Sequence, residues 1–159
     1  MLQLLSALEQ SAFPTWVRES GSLWAYPGFR FAHAAGLALA VGLSVVIDLR
    51  VLGFARQLPL DPFDRFFRFV WFGIWVNAIS GLVLFAAAAT NWITSPLFGL
   101  KMLLVALAIA NASLLRRVVF RERRASTRGK ALAALSLALW SAAIVAGRLT
   151  TYLESTGRT

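Results

Sequence analysis

The stretch that decides the fold is residues 69–89, FVWFGIWVNAISGLVLFAAAA. No charged residue occurs between Arg68 and Lys101. A bilayer hydrocarbon core about 30 Å thick needs roughly 20 helical residues to cross it, and this stretch supplies them. Working outward, three more stretches have the same character, and the predicted spans are about 28–52, 66–89, 96–120 and 130–153. A soluble helical bundle would need polar outer faces. Segments 34–47 and 131–147 are instead apolar or small all round. Composition agrees: of 159 residues, 58% are hydrophobic and 14% charged, against about 45–50% and about 25% in an ordinary soluble domain. Such apolarity excludes disorder. The absence of cysteine excludes a disulfide scaffold, a thiolate metal site and a thiol nucleophile. The expected fold is all-α: an integral membrane four-helix bundle over 28–153, preceded by a short N-terminal interfacial helix within 1–27 and followed by a tail, 154–159.

Local signals support the boundaries. Asp61-Pro62 reads as an N-cap followed by Pro at the first helical position, with Asp64 near the positive helix end. Ser95-Pro96 reads the same way, and Gly53 stands at a C-cap position. Before the first span, Leu2, Leu5, Leu8 and Ala12 recur at helical spacing, opposed by Gln3, Ser6 and Gln10. Pro14, Gly21 and Pro27-Gly28 are expected to break this region into segments. It lacks the basic start of a secretory signal. Trp16, Trp24, Tyr26 and Trp92 suit an outer headgroup level.

The net charge of +9, from 16 Lys+Arg against 7 Asp+Glu, sets the expected orientation. Arg50, Arg56, Arg65 and Arg68 follow the first span; Arg116, Arg117, Arg121, Arg123, Arg124, Arg128 and Lys130 follow the third. Residues 90–95, TNWITS, carry no basic group. By the positive-inside rule both basic connections face the cytoplasm of a bacterial inner membrane, against anionic lipid, with both termini outside. No stacking aromatics interleave the arginines, so nucleic acid is not an expected partner.

The first span carries the clearest pattern. His33, Gly36, Ala40, Ser44 and Asp48 fall in one angular sector at 3.6 residues per turn, a small and polar stripe of the kind that lets membrane helices approach closely. Gly73, Asn77, Ser80/Gly81, Leu84 and Ala88 form a similar stripe on the second span. Asp48 is expected to join an ion network with Arg50, Arg65, Arg68 or Arg116, with a proton-relay role as the alternative. Fourteen residues separate Lys101 from Arg116, about 21 Å of helix, so at least one of these charges lies within the apolar slab or snorkels out of it. Arg30, His33, Lys101 and Arg148 fall at similar expected depths, with no carboxylate at that level. Ionisable groups at such depth are functional candidates.

Basic groups without a carboxylate invite an anion. A b-type haem would take His33 as its axial metal ligand, Arg30, Lys101 and Arg148 for its propionates, and aromatics such as Trp75 and Trp140 as walls, with Asn77 beside it. A single histidine cannot supply two axial ligands within one chain. A quinone contacting His33 and Lys101 is a second expectation, with lipid phosphate a third source of the anion. Copper chemistry finds little here, since the methionines are only Met1 and Met102. The competing class is non-catalytic: an accessory or assembly subunit of a larger membrane complex, or a lipid-binding homo-oligomer. With Lys101, Ala108, Ala112 and Leu115 aligned on the third span and Ser136, Trp140, Ala143, Gly147 and Thr151 on the fourth, four bundle faces exceed what one compact bundle needs.

The stretches His33-Ala-Ala-Gly36, Gly42, Ile47-Asp48-Leu49-Arg50-Val-Leu-Gly53, Asn77, Ser80-Gly81, Phe98-Gly-Leu-Lys101-Met-Leu-Leu and Asn111 resemble small bacterial four-helix inner-membrane proteins that form a family of unknown function. The resemblance runs from about Trp24 to Arg117. It implies the four-helix topology and marks His33, Asp48, Arg50, Gly81, Lys101 and Asn111 as motif positions. More distantly, His33 and the Lys101-x-x-Leu opening look like the copper-resistance D-type membrane domain and the bacterial membrane protoporphyrinogen oxidase. Those families imply metal or haem/porphyrin chemistry.

Overall fold

A computed structural model describes residues 2–122 and 126–156. The described chain is helical with no strand. Its elements are α1 (Leu2–Glu9), α2 (Ala12–Glu19), α3 (Tyr26–Leu52), α4 (Asp61–Asp64), α5 (Phe66–Ala86), α6 (Ala89–Ile93), α7 (Pro96–Glu122) and α8 (Thr127–Thr156). Four helical stretches are long and apolar enough to cross a membrane: Tyr26–Leu52, Asp61–Ala86, Pro96–Phe120 and Thr127–Thr150. The protein is therefore a multi-pass, all-α membrane protein. Arg123, Arg124 and Arg158, expected in a basic connection and the tail, lie outside the described residues.

Two compact units can be described separately: 1–40 with 71–95, and 41–70 with 96–159. The first holds α1, α2, α6, the first half of α3 and most of α5. Here the N-terminal region differs from the expected single interfacial helix. The chain breaks at Gln10-Ser11, not at Pro14, which sits buried in the first turn of α2. A proline is tolerated there because first-turn N–H groups have no partner within the helix. Pro27 likewise falls inside the first turn of α3, so that helix starts at Tyr26. Val17 and Ala25 are fully buried, and Phe13 packs against Trp16 and Phe29.

Two side chains tie the N-terminal helices down. The Glu9 carboxylate accepts from the Thr90 backbone N–H at 3.2 Å and the Thr90 hydroxyl at 2.7 Å, capping the first turn of α6. Arg18 donates to the Ala87 carbonyl at 3.2 Å, just past the end of α5, and to the Glu9 carbonyl at 3.3 Å. Carbonyls at a helix end lack intrahelical partners, so a guanidinium there satisfies an otherwise orphaned acceptor.

The second unit is built on α7 against α8. Ala108, Ala112, Leu115 and Val119 of α7, with Ala133, Ser136, Trp140 and Ala143 of α8, are buried. Both sets follow the three-and-four spacing of one helix face. Ile47, Asp48 and Val51 of α3 and Phe67 and Val70 of α5 are buried in the same unit. A Cβ on Gly129 would lie 2.8 Å from Val119 Cγ2, so α7 approaches the start of α8 closely. Ser126 caps α8, its hydroxyl accepting from the Gly129 N–H at 3.2 Å. That cap starts the helix at Thr127, three residues before the expected Lys130.

The connection after α3 is also built locally. Gly53, at φ 114°, ends the helix. The Phe54 N–H reaches the Leu49 carbonyl at 3.0 Å and the Gly53 N–H reaches the Arg50 carbonyl at 3.2 Å, the paired bonds of a Schellman stop. Asp61 is not the N-cap expected of it. It is the first residue of α4, Leu60 holds the cap position, and no side chain bonds there.

Candidate functional site

In the first unit, α3 and α5 meet backbone to backbone. A Cβ on Gly36 would stand 2.7 Å from the Asn77 nitrogen and 2.8 Å from the Gly73 oxygen; one on Gly73 would stand 2.8 Å from the Ala40 nitrogen and the Gly36 oxygen. Only glycine permits that approach, and it brings His33 within reach of α5. His33 Nδ1 lies 2.9 Å from the Asn77 carbonyl oxygen, and Asn77 Nδ2 donates to the His33 carbonyl at 2.8 Å. The two residues thus link the helices reciprocally. Membrane measurements put such an interhelical bond at about 0.6 kcal/mol on average and about 1.7 at most. Gly81 gives the ring its space: a Cβ there would be 3.0 Å from His33 Cε1.

The partner's chemistry assigns the tautomer. A carbonyl oxygen can only accept, so Nδ1 carries the proton. Ser80 Oγ, 3.3 Å from Nδ1, has the Val76 carbonyl at 2.6 Å as acceptor for its own proton. In the neutral ring Nε2 then holds the lone pair. A metal-ligating histidine almost always has this arrangement, the other ring N–H held by a carbonyl or carboxylate.

The other expected residues have diverse settings. Arg30 is exposed, its guanidinium 5.6 Å over the Tyr26 ring. Trp75 is 65% exposed; two positions from Asn77, it lies about 200° around α5 and away from the His33–Asn77 link. In the second unit, Lys101 is half-buried and runs along α8, with Cε 3.4 Å from where a Gly147 Cβ would be. Arg148 is exposed, and Trp140 is buried. Among the described residues, no ion pair involves Arg30, Lys101 or Arg148. So the chain brings His33 and Asn77 together and adds Ser80 and Gly81. Those two stood on the α5 stripe in the sequence, but only a histidine aimed at that stripe gives them a role.

Asp48 departs from the expected ion network. It is buried, at 1% exposure, and forms no ion pair among the described residues. Arg50 donates instead to the Leu58 and Arg56 carbonyls, and Arg116 pairs with Asp64 at 2.8 Å. Arg65 and Arg68 are exposed, Arg68 over the Phe69 ring. The reason is angular. Arg50 follows Asp48 by two residues, which on a helix is about 200°, so the stripe that buries Asp48 turns Arg50 outward.

Among the described residues no three His, Asp or Glu side chains gather as a metal cluster would require. No protein-family model matches the chain, and neither a curated protein nor a solved structure matches it.

Proposed function

We propose that this membrane protein is a redox module that carries a b-type haem on His33. The observation that supports the reading is the Nδ1–H bond from His33 to the Asn77 carbonyl, the kind of bond that fixes the tautomer and orientation of a ligating imidazole. A quinone is the competing ligand: its reduced form would donate a hydroxyl to the same ring. Bound haem would supply one-electron chemistry. Of the chain's own groups, Asn77, Ser80 and Gly81 hold the imidazole, and Arg30, one turn before His33, suits a propionate. With one histidine per chain, His33 is the one imidazole the chain could offer a haem.

Purified protein from cells supplied with ample haem should show a Soret band that His33→Ala abolishes. A colourless protein under those conditions sinks the reading. A second reading is an accessory subunit of a larger membrane complex. It is favoured by Phe72, Trp75, Ile79 and Leu82, 58% to 68% exposed on one side of α5, which would cover a partner helix. It expects co-purification in mild detergent that His33→Ala leaves intact and that Trp75→Ala with Ile79→Ala disrupts. A protein that stays alone in mild detergent counts against it.

A further inference from the structure

Among the described residues of the second unit, three buried side chains have polar atoms with no hydrogen-bond partner: both oxygens of Asp48, Oδ1 of Asn111 and Nε1 of Trp140. These residues are 1%, 6% and 2% exposed. Their positions converge on one stretch of α8. The Ser136 hydroxyl faces the Asp48 carboxylate, at a geometry that leaves both of its oxygens unbonded. Asn111 Nδ2 donates to the Leu132 carbonyl at 3.0 Å, and that carbonyl is the one the Ser136 N–H reaches in the helical ladder. Asn111 and Asp48 therefore approach α8 within one turn of each other, and Trp140 follows one turn on.

The inventory is unbalanced. Three orphaned atoms are acceptors and one is a donor, in a membrane helix core where a lone carboxylate is strongly disfavoured without a counter-charge. Among the described residues, no ion pair supplies one. Arg50 is held by the Leu58 carbonyl, Arg116 is paired with Asp64, and Arg128 and Lys130 are exposed. Oxygen is the only ligating element among Asp48, Asn111 and Ser136, which selects a hard cation. A single carboxylate, with no cluster of acids beside it, matches a single positive charge and falls short of what calcium sites use.

We infer that Asp48, Asn111 and Ser136 form a binding site for one hard monovalent cation within the membrane-embedded core. Asp48 supplies the charge, the Asn111 amide oxygen and the Ser136 hydroxyl are neutral ligands, and the Trp140 N–H serves the oxygen of a cation-bound water. The site is independent of His33 and stands whether or not haem binds.

The test uses the full chain in lipid nanodiscs, with NaCl or KCl exchanged against choline chloride at constant ionic strength. Thermal stability and the infrared carboxylate stretch are read in parallel. One of the two metal chlorides should raise Tm saturably over choline, because a ligand of the folded state stabilises it by mass action, and should shift a carboxylate band. Asp48→Asn should lose both responses. Asn111→Ala and Ser136→Ala should raise the half-saturating concentration about tenfold or more. These two variants, with the infrared response of the unmodified protein, decide the matter even if Asp48→Asn fails to fold. Equal stabilisation by all three salts would overturn the site as an ionic-strength effect. Stabilisation by acid in choline, with no response to Na+ or K+, would overturn it in favour of a proton on Asp48.

Discussion

At the scale of single residues, space decides which glycines matter. Gly36 faces the backbone of α5, which cannot step aside as a flexible side chain would, and a Cβ there would be 2.7 Å from a main-chain nitrogen. Gly36→Ala should lower stability by about 1–3 kcal/mol, the usual cost of overpacking. Gly42, one face away on the same helix with nothing within 4 Å of its would-be Cβ, should gain about 0.5–1 kcal/mol on mutation to Ala from helix propensity alone. Thermal melts of the two variants in one detergent test the contrast, and equal effects would refute the close crossing. Much of this was legible in the sequence. The spacing of His33, Gly36 and Ala40 places them on one face, and Gly73 and Asn77 repeat the pattern on α5. What spacing could not convey was the contact between those faces that makes His33 and Asn77 bond each other. Asp48 was misplaced for a simple reason: an arginine two positions away is close in the chain but points elsewhere on a helix.

At the scale of elements, capping explains most of the differences from the expected boundaries. Ser126 starts α8 early, and its replacement by Ala should cost about 1 kcal/mol, seen as fraying of the first α8 turn in hydrogen exchange. The docking of α1 and α2 was not legible at all, because Glu9 and Arg18 find their partners in Thr90 and Ala87, far along the chain. The Thr90 hydroxyl and then its backbone N–H hold the Glu9 carboxyl below its ordinary range, with a smaller contribution from Arg18. A carboxyl depressed in the folded state contributes stability above its unfolded pKa, about 4.3, and loses that contribution as pH falls through the folded value. Protection of the α1–α2 amides should therefore hold at neutral pH and weaken below about pH 4. Glu9→Gln should lose this acid dependence, and an unchanged profile would show that the docking rests on apolar contact alone.

At the scale of the whole molecule, basic charge is distributed unevenly along the chain. Arg50 and Arg116 of the basic connections are engaged within the chain, with the Leu58 carbonyl and with Asp64, while arginines 65, 68, 117 and 128 are exposed. We propose that both basic connections are cytoplasmic and both termini outside. A reporter active only in the cytoplasm should be silent when fused to the C-terminus, and a strong signal would reverse the orientation. The α1–α2 tie also sets a timetable for biogenesis. Glu9 leaves the ribosome 81 residues before Thr90. At about 5–20 residues per second of synthesis, the two N-terminal helices spend roughly 4–16 s without their docking partner. During that interval Val17, fully buried in the folded chain, lacks the packing that covers it, so α1 and α2 reach their final place only after α5 and α6 have been made.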